Sequence, residues 1–239
     1  MRVLVVLPTY NEILNINAMV RALRDVVPAA DILVVDDASP DGTADAVRSL
    51  ASELGRIELL SRAAKSGLGS AYRAGFAWGL ERGYDHFVEI DCDFSHDPAA
   101  LVHLLALAET HDVVIGSRYI PGGSIPKWSL PRRLLSRLGN QYASIMLGLG
   151  VADSTAGYRV YSRQALEIID FATVGADGYG FQIEMTYRAR RGGASIVESP
   201  IAFRDRTKGE SKMSGAIVLE ALVLVTRWGA ERLVRPRSR

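Results

Sequence analysis

The sequence predicts an α/β fold: a mostly parallel sheet with helices on both faces, followed by a C-terminal amphipathic helix. Three observations carry this. Short apolar runs alternate with segments whose apolar residues recur at helical spacing, the pattern of strands joined by crossover helices. The polar breaks after those runs collect aspartates and an arginine, where an open parallel sheet places its ligands. The 239 residues, 48% hydrophobic, suffice for one large domain with a small C-terminal extension.

In chain order, residues 3–7 form a first strand, ending in Pro8-Thr9-Tyr10-Asn11-Glu12. Ile16, Met19, Val20, Leu23, Val26 and Val27 then recur at helical spacing. Residues 31–37 repeat the pattern, with Asp36-Asp37-Ala38-Ser39-Pro40-Asp41-Gly42-Thr43 turning into a helix through Val47, Leu50 and Leu54. A third unit has a strand over 57–60 and a Lys65-Ser66-Gly67-Leu68-Gly69 loop opening the helix of Tyr72, Phe76 and Leu80. The fourth strand, with Phe87, Val88 and Ile90, breaks into Asp91, Asp93, Ser95, His96 and Asp97 before Pro98 starts a helix. Residues 113–116 are a fifth strand, ending in Ser117-Arg118-Tyr119.

Past a turn at Gly122-Gly123, residues 131–148 read as a two-faced helix. Arg132 and Ser136, four apart, share one side. Leu134, Leu135, Leu138, Tyr142, Ile145 and Met146 supply the apolar remainder, and Arg132, Arg133 and Arg137 on their own read as a solvated face, the usual place of a charge cluster; a site role for them needs the resemblance below. Residues 157–162 form a strand, 181–191 a helix and 195–203 a last strand. A polar loop, 204–212, suited to act as a lid, precedes a helix over about 213–234 with a basic end in Arg232, Arg235, Arg237 and Arg239. This divides the chain into a catalytic domain, 1–212, and a C-terminal segment, 213–239. Trp228 and the leucines suit that segment to a membrane interface, or equally to packing on the core.

Bulk properties exclude several classes. With 28 basic and 27 acidic residues, net charge +1, nothing marks a nucleic-acid binder. Cys92, the single cysteine, has no internal disulfide partner, which fits a cytoplasmic setting; its strand-end neighbours predict an inert thiol. The N-terminal apolar run meets Pro8 too early for a signal peptide, and the run over 216–225 is too short to span a bilayer. No Gly-x-Gly-x-x-Gly follows the first strand and no P-loop is present; Gly67 and Gly69 predict a close helix–sheet contact.

Asp91 and Asp93 offer oxygen ligands suited to Mg²⁺ or Mn²⁺, hard cations that keep waters and bridge to a substrate's phosphates. The alternative is helix capping. That needs only one carboxylate, a role Asp97 fills, and would leave Asp91 and Asp93 as an unneutralised pair.

Together, Pro8-Thr9-Tyr10-Asn11-Glu12, Val34-Val35-Asp36-Asp37-Ala38-Ser39-Pro40-Asp41-Gly42-Thr43, Asp91-Cys92-Asp93-Phe94-Ser95-His96, Gly116-Ser117-Arg118-Tyr119 and Gly209-Glu210-Ser211-Lys212 resemble glycosyltransferase family two. Within it, the chain is similar to the polyprenol-phosphate (dolichol-phosphate) mannose synthases. The resemblance implies a GT-A (Rossmann-like) fold, a GDP-mannose donor, a divalent metal and a polyprenyl phosphate acceptor. It implies nucleoside contacts from Pro8, Tyr10, Glu12, Val35, Asp37 and Ile90, and metal–diphosphate contacts from Asp91 and Asp93. Arg118, Arg206 and Lys212 would hold phosphates, and Arg132 with Ser136 the acceptor phosphate. Where some relatives carry a ligating Gln, this chain has Ser95, so the third metal ligand is that hydroxyl or a water.

A phosphate monoester, already anionic near neutral pH, needs no general base. The metal and the arginines would neutralise the two like-charged partners, and single displacement would invert the anomeric centre. Phe181-Gln182-Ile183-Glu184 matches no QxxRW-type segment and no preceding acidic base, which argues against a polysaccharide synthase. Many relatives continue into transmembrane helices, so this chain is expected to be peripheral on the cytoplasmic face of a membrane, held there directly or by a membrane-protein partner. The alternatives are a UDP-glucose:polyprenyl-phosphate glucosyltransferase and a non-catalytic nucleotide-sugar-binding partner of a membrane protein.

Overall fold

The computed structural model describes residues 1–205 and 215–234, with side chains in the last helix described over 219–232. In strand β1 (Val3–Thr9), alternate side chains go to opposite faces, so Leu4 and Val6 enter one core cluster and Val3, Val5 and Leu7 another. β1 pairs in parallel with β2 (Asp31–Asp36) and β4 (His86–Glu89), and β2 with β3 (Ile57–Ser61). β5 (Val113–Ser117) and β7 (Ile196–Pro200) are parallel to each other. Between β4 and β5 runs β6 (Arg159–Ser162), antiparallel to both. The seven-stranded order is β3-β2-β1-β4-β6-β5-β7, so the six strands other than β6 point their carboxyl ends at one rim.

Helices α1 (Ile16–Val26), α2 (Thr43–Leu54) and α4 (Leu101–Ala108) cover one face. On the other lie α3 (Leu68–Glu81), α5 (Leu130–Leu147), α6 (Arg163–Ile169), α7 (Gly178–Gly192) and α8 (Gly215–Val234). α3 lies flush on β1 because Gly75 and Gly79 face it; a Cβ there would come within 2.4 Å of Val6 and 2.5 Å of Leu4. The helix expected at Pro98 begins as a short 3₁₀ turn, Pro98–Ala100, before α4, and Asp97 caps it by accepting from the Ala99 amide at 3.0 Å. The sequence reading missed α6, a two-turn helix continuous with β6 and capped by Ser162. Among the described residues no helix is long and apolar enough to cross a membrane.

Candidate active site

A cavity of about 770 Å³ opens at the rim where the strand ends converge. Its donor-side wall comes from the loops after β1 and β2, which are tied to each other. The amide of Asn11 donates to Ser39 Oγ at 2.9 Å, that of Glu12 to Thr43 Oγ1 at 3.1 Å, and that of Ile13 to Asp41 Oδ2 at 3.0 Å. Asp36, buried, accepts from Thr9 Oγ1 at 2.8 Å and from the Ser39 amide and hydroxyl at 2.9 and 2.6 Å. Asp36 therefore braces the two loops, while its neighbour Asp37 faces the cavity, fixed by the Ser66 amide at 3.1 Å and an ion pair with Arg62 at 3.0 Å. Asn11, Ala38 and Phe94 adopt φ of 60°, 57° and 58°, one in each of the loops after β1, β2 and β4. Left-handed backbone at a residue other than glycine costs about 1–3 kcal/mol and persists only where its surroundings over-determine it, as these linked loops do.

The floor is acidic. Asp93 is 5% exposed and its Oδ1 accepts from the Ser95 amide at 2.9 Å; the Asp91 side chain is 35% exposed. His96 is buried against Tyr158 and Phe203, and burial lowers its pKa to about 4, so its contact with Asp91 Oδ2 at 3.8 Å is not an ion pair at neutral pH. Burial likewise pushes the Cys92 thiol up, making it an inert neighbour. Two carboxylates and the Ser95 hydroxyl form a hard oxygen donor set. Among the described residues no cluster of three or more His, Cys, Asp or Glu side chains is placed to hold a metal. The set fits a cation that completes its shell with waters and diphosphate oxygens, as Mg²⁺ and Mn²⁺ do, and not a fully protein-caged ion.

The opposite wall is cationic. Arg118 leaves the end of β5 and is 6% exposed; its Nε and Nη2 donate to the two oxygens of Asp153 at 2.7 Å each, and Nη2 also to Thr155 Oγ1 at 2.8 Å. Burial opposes both charges, but their mutual attraction outweighs it, holding the Arg118 pKa above and the Asp153 pKa below their ordinary ranges. The loop bearing Asp153 is pinned by buried Arg159, which donates to Ser154 O and Ala156 O at 2.7 Å each. Arg132, on α5, lies 3.9 Å over the Trp128 ring and 3.3 Å from Asp205 Oδ1, which also accepts from Trp128 Nε1 at 2.9 Å. One turn on, Ser136 Oγ accepts from Tyr119 Oη at 2.6 Å and lines a smaller, mostly apolar cavity of about 100 Å³ between α5, α7 and α8. Trp128, Arg132, Thr155 and Tyr179 line both cavities.

Of the residues singled out in the sequence, Pro8, Tyr10, Glu12, Asp37, Asp91, Asp93, Ser95, Arg118 and Arg132 line the main cavity, with Ser136 next to it. The Val35 and Ile90 side chains are fully buried in the two core clusters, so a nucleotide would meet only their backbone. Arg206 and Lys212, and with them most of the loop read as a lid, lie outside the described residues. Sequence reasoning missed Lys65, which sits 4.4 Å over the Tyr10 ring, as well as Asp153, Trp128 and Asp205. It also missed Asp177, whose Oδ1 accepts from the Gly69 amide at 2.7 Å. Gly67 has φ +90° and a Cβ there would come within 1.8 Å of Asp177, so this loop packs on α7, not on the sheet as expected.

A mostly parallel α/β sheet whose strand ends bring an Asp-x-Asp pair and arginines to one cavity is the architecture expected of the GT-A fold. Residues 4–169 match the family described as Glycosyl transferase family 2, and the chain belongs to it. It is 54% identical over 229 residues to the undecaprenyl-phosphate mannosyltransferase of Micrococcus luteus, covering 96% of this chain and 94% of that one. It is 48% identical over 240 residues to the polyprenol monophosphomannose synthase of Mycolicibacterium smegmatis, covering 99% and 91%. Among solved structures, the mannosyltransferase PcManGT of Pyrobaculum calidifontis, in complex with GDP-Man and Mn²⁺, aligns with TM-score 0.67 at 19% identity, covering 100% of this chain and 66% of that one. Glucosyl-3-phosphoglycerate synthase of Mycobacterium tuberculosis, with Mn²⁺ and UDP-glucose, aligns with TM-score 0.70 at 21% identity, covering 99% and 80%. At these identities the two structures speak for the fold alone.

Proposed function

We propose that the protein transfers mannose from GDP-mannose to a polyprenyl monophosphate with inversion, in a divalent-metal-dependent reaction at the cytoplasmic face of a membrane. The observation that carries this reading is that an acidic pair and the half-exposed Arg132 line one cavity, in a chain about half identical to enzymes named for mannosyl transfer to polyprenyl phosphates.

Pro8, Tyr10, Glu12 and Asp37, on loops braced by Asp36, hold the nucleoside side. Asp91 and Asp93, with Ser95, would hold Mg²⁺ or Mn²⁺, which supplies Lewis-acid stabilisation of the leaving diphosphate. Arg132 receives the acceptor phosphate, exchanging the Asp205 carboxylate for it, and Ser136 offers a hydroxyl one turn along α5. Two unit charges of like sign 4 Å apart repel by roughly 4 kcal/mol at an effective dielectric of 20, which is why the acceptor needs a cation on its approach. Arg118 shapes the cavity; its charge is largely answered by Asp153. Arg206 and Lys212 join the phosphate-binding set in this reading.

The test incubates the protein with labelled GDP-mannose or UDP-glucose, Mg²⁺ or Mn²⁺ and a short polyprenyl phosphate, and follows label into the organic phase. Label from GDP-mannose, lost on chelation and lost in Asp93→Asn at an unchanged melting temperature, is the expected result. Label from UDP-glucose alone would overturn the donor, and full activity in Asp93→Asn would overturn the metal assignment.

A further inference from the structure

Among the described residues, seven carboxylates and three basic side chains line the main cavity, and two of those three already face an acid. Arg118 is held by both oxygens of Asp153, and Arg132 meets Asp205 at 3.3 Å. The third, Lys65, is exposed and meets no carboxylate among the described residues. Its Nζ instead lies 4.4 Å from the centre of the Tyr10 ring.

The backbone sets that position. Lys65 stands on the loop between β3 and α3, residues 62–67, which is fastened at both ends. Arg62 pairs with Asp37 at 3.0 Å and donates through Nη2 to Ser70 Oγ at 2.7 Å, and the Ser66 amide donates to Asp37 Oδ2 at 3.1 Å. Just past the loop, the Gly69 amide donates to Asp177 Oδ1 at 2.7 Å. Tyr10 belongs to the loop after β1, which the contacts of Asn11, Glu12 and Ile13 brace in the same way. Two ordered backbones thus bring an ammonium to the donor-side wall, on a long flexible stem that can swing without the loop moving.

Magnitudes decide where the ammonium goes when an anion arrives. An exposed cation–π contact is worth roughly a two- to five-fold preference, whereas a hydrogen bond to a charged group is worth roughly ten- to a hundred-fold. A phosphate within reach therefore takes Lys65 from the ring. Tyr10, Glu12 and Asp37 form the nucleoside side of the proposed reaction, where a base offers only neutral acceptors and the diphosphate carries the negative charge. We infer that Lys65 is a donor-binding residue: it leaves the Tyr10 ring to hold a diphosphate oxygen of the nucleotide sugar, from the wall opposite Arg118. This rests on the nucleotide-sugar donor proposed above and is indifferent to which base that donor carries.

The experiment titrates the full chain with GDP, and with guanosine as a competitor of labelled GDP, both without metal and with Mg²⁺. Lys65→Gln should weaken GDP binding about tenfold in both conditions, at an unchanged melting temperature, and alter guanosine binding by less than about twofold. Lys65→Arg, which keeps the charge, should bind GDP within about threefold of wild type. Because the contact joins exposed charges, the gap between wild type and Lys65→Gln should narrow in about 1 M NaCl, where the screening length falls to about 3 Å. GDP binding unaffected by Lys65→Gln overturns the inference. So does an equal loss for guanosine, a gap that salt leaves unchanged, or a loss that Lys65→Arg does not restore. Wild type that binds UDP in place of GDP overturns the proposed donor and not the role of Lys65, for which UDP and uridine then give the same comparison; wild type that binds neither overturns both.

Discussion

Arg118 and Arg132 face the same cavity from neighbouring elements, yet their surroundings differ in every respect that matters for binding an anion. Arg118 is 6% exposed, with both oxygens of Asp153 already on its guanidinium. The Arg132 side chain is 37% exposed, stacked on Trp128, and meets Asp205 at 3.3 Å, long for a charge-assisted hydrogen bond. A buried, fully engaged pair cannot exchange partners without leaving a bare charge in low dielectric. A half-exposed one exchanges at little cost, because water screens it either way. Two arginines that read alike in the sequence thus differ in their surroundings, and in the proposed reaction the half-exposed Arg132 is the one that exchanges its carboxylate for an anion.

Removing Asp153 is the strongest way to break this contrast. Asp153→Ala should destabilise the fold by roughly 3–5 kcal/mol, the usual result of stripping one partner from a buried pair, and lower the melting temperature by roughly 2–4 °C per kcal/mol. Adding Arg118→Met to Asp153→Ala should recover much of that loss in thermal unfolding. The effect carries a pH signature. Because the folded Asp153 pKa lies below its ordinary value, its stabilisation is fully present above about pH 4, the unfolded carboxylate's range, and is lost as pH falls through the depressed folded value. Asp153→Asn should therefore differ from wild type most at neutral pH and converge on it in strong acid. A difference independent of pH would mean that packing, not charge, holds Arg118.

Arg132→Ala should do the opposite, leaving the melting temperature nearly unchanged while raising the apparent KM for polyprenyl phosphate about tenfold, equivalent to about 1.4 kcal/mol. Steady-state kinetics with the lipid varied at saturating nucleotide sugar checks it. Altered donor dependence with unchanged lipid dependence would move Arg132 to the donor side and erase its distinction from Arg118.

Much of this was legible because strands and their polar breaks leave local marks. Five apolar runs ending in carboxylates, prolines or an arginine placed the rim, and Asp91, Asp93 and Arg118 fell on it. Asp153 was not legible, since its partner lies 35 residues away and is reached only because β6 turns back between β4 and β5. A period of two marks a strand without giving its direction. α5 was half legible for a related reason. Helical spacing identified its two faces but not which one packs inward, and here Leu134, Leu138 and Ile145 point out and Arg132 and Ser136 in. The loop after β2 was found by its acids, but their spacing does not say which of Asp36 and Asp37 faces the cavity; only the resemblance singled out Asp37, and the structure shows Asp36 taken up by Thr9 and Ser39.

The smallest expected effect tests how Arg132 is kept adaptable. Trp128 does two things for it: the ring lies beneath the guanidinium at 3.9 Å, and the indole N–H fixes Asp205 at 2.9 Å. Trp128→Phe keeps an aromatic face and removes only the N–H. Asp205 then loses a hydrogen bond worth about 1 kcal/mol and competes less well for Arg132. If Asp205 is a placeholder that the acceptor phosphate displaces, the apparent KM for the lipid should fall, by no more than roughly five-fold. If Asp205 instead orients Arg132 for binding, the same substitution raises KM. The sign of that change, read beside Asp205→Asn, which weakens the ion pair without touching the indole, decides whether Arg132 waits for its ligand or is aimed at it.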